Sequence, residues 1–209
     1  MLIAVDGVAA AGKGTLARAL ARELGAAYLD TGLLYRRVAL DMLNQRLPLD
    51  DESAAGGVAK SLTASGITDD PDLRTRQVGD AASAISAFPA VRSALLSFQR
   101  EFAKQPGGAV LDGRDIGTVV LPDADLKFYV TASAQVRAHR RAKELGLSDP
   151  TEIGRLEAEL KARDQRDSAR AAAPLRVPPD ALVLDTTEMK PQEVLAAAMD
   201  AVREADANA

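Results

Sequence analysis

Cysteine is absent from this chain of 209 residues, which excludes a disulfide framework and any thiolate metal site. Histidine occurs once, at His139. It shares a helix face with Val136, has no Cys, Asp or Glu at metal-ligand spacing, and reads as a packing or hydrogen-bonding residue. Long apolar runs are missing too: only Leu2-Ile3-Ala4-Val5 precede Asp6, far short of a signal-peptide core, and no stretch reaches the length of a membrane span. A net charge of -4 argues against a generic nucleic-acid surface, leaving room only for a local basic cleft. The expectation is a cytoplasmic protein without membrane or nucleic-acid partners. With 47% hydrophobic and 27% charged residues, the chain should bury a substantial core as one domain, or one domain with an insert.

What is present begins with Gly7-Val8-Ala9-Ala10-Ala11-Gly12-Lys13-Gly14-Thr15. An apolar strand leads into this glycine-rich turn and an amphipathic helix follows it, the order a phosphate-cradling P-loop needs. Backbone N–H groups turn inward, and an anion sits at the positive end of the helix. Gly7 and Gly12 supply backbone freedom, Lys13 can reach terminal phosphate oxygens, and the Thr15 hydroxyl is placed to ligate Mg²⁺. Gly14 stands between the lysine and Thr15, one position away from the general G-x-x-x-x-G-K-[ST] pattern; the Gly-Lys-Gly-Thr order is common in small-molecule and nucleotide kinases.

Further along, Leu16, Leu20 and Leu24 line one side of a helix that ends near Gly25. Ala26 to Leu29 form a second strand, and Asp30 or Thr31 can cap a helix carrying Tyr35 and Arg36. From Leu47 to Asp72 the periodicity breaks at Pro48, Gly56-Gly57, Gly66 and Asp69-Asp70-Pro71-Asp72, predicting a short insertion or mobile subdomain at most. A helix is predicted near Pro71 with Asp70 as its cap, interrupted at Phe88-Pro89 and then running to about Lys104. Strands follow at Ala109–Leu111, Leu126–Val130 and Ala181–Leu184. Ser133 caps a basic helix, Asp149-Pro150 starts one that runs to the alanines before Pro174, and Pro191 starts the last. Five short strands with helices between them predict one α/β domain with ligands at the strands' carboxyl ends.

Two clusters accompany the loop there, the Asp30 to Arg36 turn and Asp112 to Asp115, each following a strand. Asp112, in Asp112-Gly113-Arg114-Asp115, reads as an aspartate arranging Mg²⁺ through its water shell, or as a turn former. On the late helix, Ile153, Leu156 and Leu160 mark the inward face, and the same stripe continues as Arg163, Asp167 and Arg170. These are either ion pairs at a solvated helix end, with Asp167 beside Arg163 at i, i+4, or cations meeting an anionic ligand. A phosphate cradle in the same chain favours the second reading. Arg137, Arg140, Arg141 and Lys143 read as a solvated helix face, the alternative being that one of the arginines reaches the donor phosphates when a lid closes.

Together these motifs resemble bacterial-type cytidylate kinase, a nucleoside monophosphate kinase of the P-loop class. The resemblance rests on the loop from Gly7 to Thr15, Leu29 to Arg36, Ala81-Ala82-Ser83, Phe88 to Arg92, Asp112 to Val120, Arg163 to Arg170, and Ala173-Pro174-Leu175. It implies an α/β P-loop kinase fold, a five-stranded parallel sheet covered by helices, as a single domain over 1–209. The core would be 1–46, 105–145 and 175–209, with a shortened NMP-binding insert and helices over 47–104 and a helical lid over 146–174. It implies transfer of the γ-phosphoryl group of ATP to CMP or dCMP in pyrimidine metabolism, with Mg²⁺ as cofactor and a monomer as the acting species. ATP would bind Gly7, Val8, Ala9, Ala10, Ala11, Gly12, Lys13, Gly14 and Thr15. Ser83, Arg92 and Asp115 look like the cytosine-reading residues, Arg163 and Asp167 like ribose and phosphate contacts, and Arg36, Arg114 and Arg170 like clamps on the acceptor phosphate. Thr31 and Asp112 lie along the CMP site, while Lys13, Arg114, Arg163 and Arg170 take the catalytic roles. Another acceptor such as UMP, AMP or a small metabolite is the alternative, and a nucleotide-hydrolysing switch a more distant one.

Overall fold

The computed structural model describes residues 1–62 and 70–207; Gly66 and Asp69 of the broken segment lie outside them. The chain forms two compact units, Met1–Leu29 with Ala103–Ala209, and Asp30–Phe102.

Among the described residues five strands form one sheet: β1 (Leu2–Gly7), β2 (Ala27–Asp30), β3 (Ala109–Gly113), β4 (Leu126–Thr131) and β5 (Leu182–Asp185), in the order β2-β3-β1-β4-β5. β1 pairs in parallel with β3 and β4, and β4 with β5. Ile3, Ala4 and Val5 are fully buried, as a central strand covered on both faces requires. The register places Val5 beside Asp112 and Asp6 beside Gly113, so the end of β1 and the acidic turn after β3 meet at the strands' carboxyl ends.

Helix α1 (Lys13–Leu24) buries Leu16, Ala17, Leu20 and Ala21 and ends on Gly25 at φ 62, an αL cap. It shares a core with α8 (Pro191–Ala207), in which Phe128, Val130, Val194 and Val202 are central. α6 (Ala134–Leu145) and α7 (Pro150–Ser168) pack on each other. Their caps are as expected: Ser133 accepts from the Val136 N–H and Asp149 from the Thr151 N–H. α7 stops at Ser168, short of the alanines expected to extend it. Of the described residues, no single helix is long and apolar enough to cross a membrane.

The smaller unit departs more from expectation. Asp30 stands at the cap of α2 (Thr31–Asn44) but its side chain makes no capping bond. The segment predicted to be irregular contains α3 (Glu52–Lys60), capped by Asp51 through the Ala54 N–H. Pro71–Arg74 is only a 3-10 turn, with Asp70 accepting from the Asp72 N–H, after which α4 (Arg76–Ile85) starts on its own cap, Thr75. α5 (Pro89–Phe102) ends two residues before Lys104. The glycine pair suggested a break because glycine is the poorest ordinary helix former. Gly56 is there for space: a Cβ on it would lie 2.9 Å from Ala90 Cβ of α5. Glu52 also accepts the Ala90 N–H at 3.0 Å, satisfying one of the orphan donors of α5.

The two adjacent glycines should therefore respond oppositely to the same substitution. A Cβ at Gly57 meets nothing within 4 Å, so Gly57→Ala should stabilise by about 1 kcal/mol through helix propensity, a rise of roughly 2–4 °C in Tm. Gly56→Ala should lower Tm by a comparable amount because the overpacked contact outweighs the propensity gain. Thermal melts of both variants beside the parent check the pair.

Candidate active site

A phosphate cradle works only if its peptide N–H groups point inward, so its carbonyls must point outward and find donors there. Gly7, at φ 150, lies so close to β4 that a Cβ would meet Val130 O at 2.0 Å. Gly12 caps α1 at φ 93, and Ala10 holds the left-handed value of 59. The outward carbonyls are bound on both sides of that strained alanine. Arg137 Nη1 donates to Ala9 O at 2.9 Å, and Thr186 Oγ1 donates to Ala11 O at 3.0 Å while accepting from Arg140 Nη1 at 2.9 Å. Arg137 also donates through Nε to Ala132 O at 2.9 Å and pairs with Asp164 at 2.8 Å. The Ala9 N–H donates to Asp164 Oδ1 at 3.3 Å, so one ion pair holds both ends of this residue. The reading of the basic helix as a solvated face is corrected for Arg137 and Arg140. It holds for Arg141, which pairs with Glu144, and for exposed Lys143. The sequence signal was Ala134, Ala138 and Ala142 at four-residue spacing, a small-residue stripe marking the inward face with Arg137 beside it.

Asp112 is buried and accepts from Tyr28 Oη at 2.8 Å, and Arg18 lies over the Tyr28 ring at 5.4 Å. This explains Gly14. A Cβ there would stand 3.2 Å from Asp112 Oδ2 and 3.7 Å from Tyr28 Oη, so a side chain at this position would crowd the carboxylate. Thr15 follows in the same turn. The donors are all oxygen, as a hard divalent cation that keeps much of its water requires. Among the described residues no group of three or more His, Cys, Asp and Glu forms an all-protein metal cage.

The ionic stripe of α7 closes on a carboxylate rather than on solvent. Asp167 is 1% exposed and accepts from Arg114 Nε at 2.9 Å and from Arg170 Nη2. Burial works to raise its pKa, but Arg114 and Arg170, with Arg163 adding its charge, hold it below the usual carboxylate range. The local i, i+4 partner suggested by sequence was Arg163; the direct bonds come from Arg114, which ties α7 to the turn after β3, and from Arg170 just past the end of α7. Three arginines thus gather around one buried carboxylate, guanidinium groups of the kind that bind phosphate in a forked geometry.

One buried group was missed. Asp6 is fully buried and accepts from Ile116 N at 2.8 Å and Gly117 N at 2.7 Å. Burial pushes its carboxyl up to about 6, against the pull of those two bonds. They fall at the start of a π-helical turn, Ile116–Val120, which buried Asp115 introduces. A carboxylate ending an otherwise apolar central strand was the available signal.

The remaining expected residues belong to the smaller unit. Thr31 is buried at the start of α2. Arg36 Nη1 donates to Leu73 O at 2.7 Å, with its guanidinium against Gly79. Arg92 stacks over Tyr35 at 5.8 Å and donates to Ser86 O at 3.2 Å, and half-buried Ser83 lies on α4.

A family model described as cytidylate kinase matches residues 3–204. The chain is 57% identical over 182 residues to a cytidylate kinase of Methylobacterium sp. (strain 4-46), covering 87% of this chain and 86% of that one. It is 50% identical over 203 residues to a cytidylate kinase of Bradyrhizobium sp. (strain ORS 278), covering 97% and 95%. Among solved structures, a gluconokinase from Sinorhizobium meliloti 1021 superposes with TM-score 0.54 at 14% identity, covering 98% of this chain and 93% of that one. TT1252 from Thermus thermophilus gives 0.51 at 21% identity, covering 98% and 96%. At those identities the two structures speak for fold alone.

Replacing Asp167 by Asn removes the carboxylate's charge and leaves the arginines without it. Asp167→Asn should cost about 3–5 kcal/mol of stability at neutral pH. Because the folded-state pKa of Asp167 is lowered from 3.8, the parent's advantage is present above the unfolded pKa and is lost as pH falls through the folded value. Urea unfolding across a pH series should show a gap that is constant from pH 8 to 5 and narrows below 4.

Proposed function

This chain belongs to the cytidylate kinase family, and on that premise we propose that it transfers the γ-phosphoryl group of ATP to CMP or dCMP, giving ADP and CDP or dCDP. The observation that carries the reading is the pairing of a phosphate loop, its carbonyls bound outward, with an arginine cluster around Asp167 on the same unit. A hydrolytic cradle needs only the first.

In this reading the triphosphate lies along Gly7 to Thr15 and Lys13 reaches its terminal oxygens. Arg114, Arg163 and Arg170 take the acceptor phosphate, with Arg36 as a further clamp. Asp115, Ser83 and Arg92 read the cytosine edge, since a donor and acceptor pattern is best discriminated by groups left unpaired with the wrong base. Asp167, Thr31 and Asp112 lie along the acceptor nucleotide. An oxygen of the acceptor phosphate attacks the γ-phosphorus in line, the bond from γ-phosphorus to the β,γ-bridging oxygen breaks, and ADP leaves with that electron pair. The acceptor phosphate is already largely ionised, so no side chain acts as base. The protein's work is positioning and neutralisation of spreading charge. Mg²⁺ is the proposed cofactor: when bound it neutralises donor phosphate charge, with Thr15 as a direct ligand and Asp112 holding its water shell. Residues 146–174 serve as the lid that excludes water, and 47–104 as the shortened acceptor-binding insert. The working species is a cytoplasmic monomer of pyrimidine metabolism with small-molecule partners only; the net charge of -4 supports leaving nucleic acid out.

ADP release from ATP with a panel of monophosphates tests the reading. CMP and dCMP should exceed UMP and AMP, and faster turnover with UMP or AMP would assign the acceptor site differently. Arg170→Ala should lower kcat/KM for CMP by on the order of 100-fold while ATP affinity stays nearly unchanged; equal loss of ATP binding would remove Arg170 from the acceptor site.

A further inference from the structure

The turn that carries Arg114 and Asp115 is held by a residue outside it. Ile116 and Gly117 are the first two residues of the π-helical turn, and their N–H groups are among the orphan donors every helical start leaves. An aspartate in the preceding position normally accepts from the second or third of these donors, here Gly117 or Thr118. Asp115 stands there, at φ -142 and ψ 27, and makes no capping bond with its side chain. The bonds go to Asp6, on the neighbouring strand, whose two oxygens take one N–H each at 2.8 and 2.7 Å. Asp6 is 0% exposed, and keeping a charge there is costly unless it organises something. Its place in the chain says what. Asp6 directly precedes Gly7 of the phosphate loop, and in the sheet it pairs with Gly113 of Asp112-Gly113-Arg114-Asp115.

We infer that Asp6 is a positioning residue for base recognition: by taking the Ile116 and Gly117 N–H groups from the neighbouring strand it fixes the turn that carries Asp115, and with it the place of the Asp115 carboxylate. The inference rests on the reading of Asp115 as a cytosine contact. An Asn at position 6 has the same shape but offers one good acceptor and an NH₂ group, so one of the two N–H groups faces a donor. The turn then relaxes, and Asp115 moves with it.

Steady-state kinetics of Asp6→Asn with CMP, UMP and ATP, beside Asp115→Ala, separate the possibilities. The expected result is a rise in the KM for CMP of about tenfold or more and a similar loss of preference for CMP over UMP, with the KM for ATP within about twofold, as one unsatisfied buried N–H implies. If Asp115→Ala loses that preference and Asp6→Asn keeps it, the positioning role is wrong and the reading of Asp115 stands. If Asp115→Ala keeps it, the reading of Asp115 fails and this inference fails with it. Should Asp6→Asn not fold, amide exchange in the parent protein decides. Exchange at Ile116 and Gly117 should slow about tenfold at a CMP concentration ten times Kd, because a nucleotide held through Asp115 opposes opening of the clamped turn. Unchanged exchange at saturating CMP would overturn the inference.

Discussion

Every peptide group turned to hold a phosphate leaves a carbonyl facing the protein, and that constraint shapes most of the larger unit. Ala9 O and Ala11 O receive bonds from Arg137 and Thr186, and Arg140 holds Thr186 in turn. The left-handed backbone at Ala10 costs of order 1–2 kcal/mol, and it persists because both flanking carbonyls are already fixed. The phosphate loop is thus pre-organised by α6 and by the loop after β5, elements more than a hundred residues away in sequence. Asp164 extends the network to α7 through the same Ala9.

Charge balance is the second organising demand. Arg114, Arg163 and Arg170 gather near one another, which without an anion is tolerable only beside a carboxylate. Asp167 fills that need, and its lowered pKa reflects how strongly the arginines favour its charged form despite burial. The same residues couple the end of β3 to α7, so Arg114, Arg163 and Arg170 belong to the same unit as the donor loop. Asp6 presents the opposite balance: burial outweighs its two hydrogen bonds and its pKa rises.

Much of this was legible in the sequence because the relevant physics is local. The run Leu2–Val5, the caps Ser133 and Asp149, the stop at Gly25 and the stripe from Ile153 to Asp167 all appear where periodicity and capping rules put them. The losses have a common cause. α3 was hidden because Gly56 answers to Ala90 on another helix, and Gly14 breaks the usual loop pattern because Asp112 lies against it. Arg137 and Asp6 looked like a surface cation and a strand end, since their partners lie 128 and 110 residues away. Tertiary demands of that kind leave a mark in one sequence only as an anomaly, a poor helix former inside a helix or a charge inside an apolar run. The resemblance to cytidylate kinases, by contrast, was readable directly, because Asp112-Gly113-Arg114-Asp115 and the stripe Arg163, Asp167, Arg170 are dense in side chains with chemistry.

The central claim is that the larger unit offers two anion sites, a donor cradle on Gly7 to Thr15 and an acceptor cluster on Arg114, Arg163 and Arg170. The most direct test is a crystal structure with MgADP, aluminium fluoride and CMP bound together. The account predicts the fluoride group held by Lys13 and in line with a CMP phosphate oxygen that is bonded to Arg114 and Arg170. A CMP phosphate bound away from these arginines, with Arg114 and Arg170 still bonded to Asp167, would contradict it.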